Sequence, residues 1–207
     1  MPIRRVGYRS LSALLRRELL LDEDAGTVDL MRRLRHVKRT GEFSRAEFLR
    51  MAAWKSPRAT PHYRKNTPAR VRATSRAVLA SRSEQRRLEL LMGLEGVSVP
   101  VASAILTLID PQRYGVLDIR VWQLLFALGC VDKKPAGRGF SGRDWLHFLT
   151  QLRGEARRLR APVRAVEYTL FRFHRRLQIG RLYDQPVLPH KPATGQARRS
   201  MRMRSTS

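Results

Sequence analysis

Apolar residues recur at three- and four-residue spacing along almost the whole chain, and no alternating apolar–polar run lasts more than a few residues. That period confines the chain to helices whose apolar faces must meet one another, an all-α fold. Leu11, Leu14, Leu15 and Leu19 open the series. Thr27 is expected to cap a second helix carrying Val28, Met31, Leu34 and Val37. Ser44-Arg-Ala-Glu47 is a capping box, and Phe48, Met51 and Ala52 continue its apolar face. Residues 55–68, with Pro57, Pro61 and Pro68, read as a basic loop. Helices are expected over 69–81, 83–93, 99–109 and 119–128, with Ser83 and Asp118 as caps. Ser141 or Gly142 opens a helix through Trp145, Phe148 and Leu152, and the last helix spans 162–179 with Gly180 at its C-terminal end. Residues 114–117 are the one short strand candidate, and 133–142, with Gly137, Gly139 and Gly142, read as a flexible loop.

Charge points to the partner. Lys and Arg number 42 against 17 Asp and Glu, a net charge of +25 over 207 residues, and 36 of the 42 are Arg. A genomic arginine bias explains Arg over Lys but not the shortage of acids. The five basic residues from Leu188 onward account for only five of the excess charges, so the body of the chain carries the rest. Between Phe48 and Ser83 there are nine Lys/Arg and no acid. A polyanion is the expected partner, nucleic acid first, because each neutralised phosphate releases counterions. Residues 184–207 have little to bury and read as a disordered basic tail. No apolar run approaches the length needed to span a bilayer, so no membrane role is expected.

Several chemistries find no support. One cysteine, Cys130, excludes a disulfide framework, a cysteine-ligated zinc finger and an iron–sulfur cluster. His36, His62, His147, His174 and His190 show no metal-ligand spacing, so neither metal nor cofactor is expected. Glu167 and His174, seven apart on the last helix, read as a structural or surface pair.

The most informative stretch is 90–109, two helices joined by Leu94-Glu-Gly-Val-Ser98. Gly96 permits a positive φ and a close backbone approach to a ligand. Val97 can pack beneath the turn, Ser98 can cap the second helix, and Pro100 sits in a first turn that tolerates proline. A helix N-terminus after a glycine turn offers N–H groups and a positive dipole end to phosphate.

Gly96-Val97, then Ala102, then a helix, then Pro111-Gln-Arg-Tyr-Gly-Val-Leu-Asp118, resembles the helix-hairpin-helix DNA glycosylases. Gly96 and Asp118 are 22 residues apart, a spacing common in that family, and the likeness covers about 88–128. It implies a two-lobed helical fold over 1–183, with the hairpin at 84–109 and the catalytic loop and helix at 110–129. It further implies double-stranded DNA as partner, a monomer, and a cytoplasmic, nucleoid-associated location. Asp118 would be the catalytic carboxylate, and Gly96, Val97, Ser98 and Pro100 would hold backbone phosphate. Two departures matter. Ser98 stands where the family has Gly, keeping the N–H. Pro100 stands where bifunctional members carry a Schiff-base lysine, which implies a monofunctional N-glycosylase with no lyase step.

Cutting an N-glycosidic bond builds positive charge on the sugar, which a carboxylate stabilises while orienting water. The base must first leave the stack, which calls for a pocket and phosphate contacts. Trp54, Lys55 and Arg58 are candidates for the pocket mouth or the DNA backbone, and Tyr114 and Trp122 for the pocket lining, with core packing the competing role for Trp54 and Trp122. Nothing in the spacing of Lys55 supports an amine role. The alternative function is a non-catalytic helix-hairpin-helix DNA-binding protein in which Asp118 only caps its helix; a third is an RNA- or ribosome-associated basic protein.

Overall fold

The computed structural model describes residues 3–180 and 182, and these form an all-α structure. The expected tail over 184–207 lies outside the described residues. Among the described residues there is no strand, only an isolated antiparallel bridge between Ile3 and Gln178.

Most helices begin on a side-chain cap. Ser10 caps α1 (Leu11–Glu18). The cap of α2 (Ala25–Arg33) is Asp24, which accepts the Thr27 N–H; Thr27 is not the expected cap, because a carboxylate lies three residues earlier. The Thr27 hydroxyl instead accepts the Trp54 indole N–H at 3.1 Å. α3 (Val37–Thr40) is a single turn. α4 (Arg45–Lys55) starts on the Ser44–Glu47 capping box. The segment expected to be a loop is largely wound, into a 3-10 turn over Pro57–Ala59 and α5 (Thr60–Tyr63). Its prolines sit in first turns, where the missing N–H has no partner to lose. Thr67 caps α6 (Pro68–Ala80), and Ser83 caps α7 (Glu84–Met92).

Every residue of α8 (Val99–Ile109) except Pro100 is buried. A helix apolar on all sides belongs in the interior, and α8 packs against α4, α7, α10 (Gly142–Leu159) and α2. α9 (Ile119–Ala127) and α10 in turn pack on α11 (Val163–Leu177). α11 ends in extended backbone at Gln178, so Gly180 lies beyond its cap rather than in it. Buried side chains from Leu11 to Phe173 form one continuous core.

Residues 114–117 carry no regular secondary structure and belong to no sheet. The Val116 N–H donates to Glu167 Oε2 at 3.2 Å, and the Leu117 N–H donates to Ser103 Oγ at 2.9 Å. Polar side chains of α11 and α8 thus stand in for a partner strand. Gly115 permits the approach, since a Cβ there would meet Glu167 and Leu152 carbons at 2.9 Å. The loop expected to be flexible is tied to the core: Trp122 Nε1 donates to the Lys133 carbonyl and Gln123 Nε2 to the Ala136 carbonyl, each at 3.1 Å.

Candidate active site

Asp118 is the N-cap of α9, in extended backbone at φ −123°, and its Oδ1 accepts the Arg120 N–H at 2.9 Å. Its Oδ2 accepts from Lys55 Nζ at 2.5 Å. Lys55 is the last residue of α4, and the packing of α4 on α8 carries it across to Asp118. Both side chains are largely buried, at 17% exposure for Lys55 and 15% for Asp118. Burial alone pushes the Asp118 carboxyl up, but the Lys55 charge and hydrogen bond, the Arg120 N–H and the Arg120 charge outweigh it. The carboxyl titrates below the usual carboxylate range and is ionised at neutral pH.

The pair faces a cavity of about 570 Å³. One side is the first turn of α8, with Ser98, Pro100 and Val101, and another is the 54–58 stretch with Trp54 and Arg58. The far wall comes from α11, with Arg164, Tyr168 and Phe171. Ser98 also borders a shallower hollow of about 390 Å³ formed by 92–98, which includes Gly96 and Val97. The hairpin and the aspartate therefore meet at Ser98. Its hydroxyl makes no cap bond, contrary to expectation, so the first-turn N–H groups of α8 carry no side-chain cap. Val97 packs beneath the turn at 8% exposure.

The turn is pinned from the segment before α6. Asn66 Oδ1 accepts the Glu95 N–H at 2.9 Å, and its Nδ2 donates to the Glu95 and Tyr63 carbonyls at 3.1 and 2.9 Å. Gly96 adopts φ +81°, and a Cβ there would lie 2.7 Å from His62 Cβ and 3.0 Å from the Tyr63 ring. Gly96→Ala is expected to cost about 1–3 kcal/mol from backbone strain, before counting the overlap. A urea titration reads it, as a lower midpoint at unchanged slope.

Two expected pocket residues lie elsewhere. Tyr114 stacks on Trp145 at 6.3 Å, its hydroxyl donates to Glu84 at 2.7 Å, and it accepts from Arg87 at 2.6 Å. Burial and the Glu84 hydrogen bond push its phenol up to about 12. A buried hydroxyl turns toward its partners, and those of Tyr114 are on α7. Trp122 is 2% exposed and sits edge-on to Phe140 at 5.1 Å, with its indole N–H bound to a loop carbonyl. It is a core residue.

The sequence reading missed the α11 wall. Arg164 Nε and Nη2 donate to the Glu23 carboxylate at 2.5 and 3.1 Å, and Nη1 donates to Glu167. The guanidinium lies 5.5 Å from the Trp54 ring centre and 5.1 Å from that of Tyr168. Burial pushes the Glu167 carboxyl up, against the pull of Arg164 and the Val116 N–H. A signal existed, since Arg164 and Glu167 are three apart on one helix. Glu167 does not pair with His174. That ring nitrogen Nε2 meets Gln123 Oε1 at 2.9 Å, and burial with the Arg120 charge brings the imidazole down to about 4, neutral at pH 7.

Among the described residues no group of three or more His, Cys, Asp or Glu is placed to hold a metal ion. Nor, among them, is any helix long and apolar enough to cross a membrane. No family model, curated protein or solved structure matches the chain.

Proposed function

We propose that this chain is a DNA N-glycosylase of the helix-hairpin-helix type, releasing a damaged or modified base by hydrolysis. The observation that carries the reading is Asp118: an ionised, largely buried carboxylate, rigidly held, facing a cavity whose rim is the hairpin helix. The cavity falls within the roughly 300–1,000 Å³ range of small-ligand sites. Trp54, Tyr168 and Phe171 line the cavity that would receive an extruded base. The uncapped first turn of α8 and the Gly96 turn receive the flanking phosphate. As the glycosidic bond lengthens, positive charge grows on the sugar beside Asp118, which stabilises it and orients the attacking water.

The test is a panel of duplexes carrying single modified bases, treated with alkali after incubation to reveal abasic sites. Alkali-labile breaks at one or more of those bases are expected; intact strands across the panel would remove the reading. One observation favours the rival, a non-catalytic DNA-binding hairpin: both oxygens of Asp118 are already engaged, as in a structural cap. Tight duplex binding without abasic-site formation would select it.

Binding is expected to be steeply salt-dependent. With about 5–8 phosphates contacted, log K should fall against log salt with a slope of about −4 to −7. Fluorescence anisotropy from 50 to 300 mM salt measures it. Truncation after Tyr183 removes Lys191, Arg198, Arg199, Arg202 and Arg204 and should flatten the slope while base release persists. A slope near zero would contradict binding through the chain's excess of basic residues.

A further inference from the structure

A second cavity, of about 500 Å³, opens at the end of α8 away from the hairpin and shares no lining residue with the Asp118 cavity. Leu106 and Ile109 from the last turn of α8, with Val78 and Leu79 from the last turn of α6, give it an apolar floor. Four cations, Lys38, Arg76, Arg87 and Arg113, line it against one carboxylate, Asp110. Two of the four are matched one to one at close range: Lys38 lies 2.9 Å from Asp110, and Arg76 lies 2.5 Å from Glu42.

Arg87 and Arg113 are not matched, because they share a single carboxylate with Arg153. Glu84 Oε1 accepts from Arg113 Nη2 at 2.9 Å and from Arg153 Nη2 at 2.7 Å. Its Oε2 accepts from the Tyr114 hydroxyl at 2.7 Å and from Arg87 Nη1 at 3.4 Å. One negative charge therefore faces three guanidiniums, and two positive charges are left over. Arg87 is 13% exposed, so water screens it little. Its Nε donates to the Val78 carbonyl at 3.3 Å and its Nη1 to the Tyr114 oxygen at 2.6 Å, which fixes the guanidinium at the cavity. Its Nη2 has no hydrogen-bond partner among the described residues. A dianion would balance the surplus, and the guanidinium fork matches phosphate oxygens. The volume is that of a small-molecule site with an apolar lining and a few polar groups. We propose that this cavity binds an organic phosphate monoester, its phosphate on Arg87 and Arg113 and its apolar body on Leu79, Leu106 and Ile109. This site is separate from base release and does not depend on it.

The experiment is isothermal titration calorimetry of the full chain with 1-naphthyl phosphate, which joins an apolar body to a phosphate dianion. It should bind about 10-fold or more tightly than inorganic phosphate, which lacks the body, and than 1-naphthalenesulfonate, which carries one charge. Arg113→Gln removes one of the two surplus charges, and should weaken binding by about 10-fold. Arg87 and Arg153 still hold Glu84 in that variant, and a thermal melt checks that it folds. Leu79→Gln leaves every charge in place and should weaken the naphthyl ester several-fold while leaving inorganic phosphate unaffected. Arg9→Gln, an exposed arginine outside the cavity, lowers the net charge equally and should bind like wild type. Absence of binding by wild type, equal affinity for inorganic phosphate, or affinity unchanged in both Arg113→Gln and Leu79→Gln overturns the proposal. Displacement of the ester by an unmodified duplex also overturns it, by making the cavity part of the nucleic-acid surface.

Discussion

Asp118→Asn is expected to abolish measurable base release, a rate loss of about 10²–10⁴-fold, while duplex affinity stays within a few-fold. The asparagine keeps an oxygen to accept the Arg120 N–H, so the start of α9 survives. What disappears is the negative charge that balances the growing positive charge on the sugar. The hairpin surface proposed for phosphate lines a separate hollow over 92–98, which Asp118 does not border, so the change should leave it intact. Single-turnover base release and an anisotropy titration of the same preparation measure the two quantities separately. Release near the wild-type rate would reduce Asp118 to a helix cap, and a large loss of affinity would place it in DNA binding instead.

Arg164→Met should be the most destabilising single change at this site. Arg164 supplies the positive charge between Glu23 and Glu167, and Glu167 is 1% exposed. Removing one partner of a buried ion pair costs about 3–5 kcal/mol, because the other charge remains buried without compensation. For a chain of this size that lowers the melting temperature by roughly 6–20 °C. Methionine approximates the volume of the aliphatic stem, so the loss reports charge more than packing. Arg164→Met combined with Glu167→Gln should recover part of the stability, since glutamine keeps an acceptor for the Val116 N–H and removes the stranded charge. Additive losses in that double-mutant cycle would show that the pair is not coupled. The cavity should feel the change as well, because the guanidinium lies against both Trp54 and Tyr168.

The sequence by itself determined the helical class, most helix starts and the hairpin turn. Each rests on interactions within about four residues: the Ser44–Glu47 and Ser141–Asp144 boxes, the Ser83 and Asp118 caps, and the positive φ of Gly96. Local chemistry also misled where two local solutions competed. Thr27 and Asp24 could each have capped α2, and prolines that suggested a loop sit in first turns of wound segments. Asp118 was legible as a candidate because its spacing from the hairpin is a property of the chain. Its environment was not. Lys55 lies 63 residues before Asp118, and Glu23 lies 141 before Arg164. Which of many charged residues meet is decided by how α4 and α11 pack on the elements that flank Asp118, through burial shared across the whole core. Tyr114 and Trp122 make the same point from the other side: both are close to Asp118 in sequence, yet the partners that satisfy their polar atoms lie on α7 and in the 133–142 loop and draw them out of the cavity. A hydrophobic pattern says which face of a helix is buried. It does not say against which neighbour, and that choice alone put an amine on the aspartate.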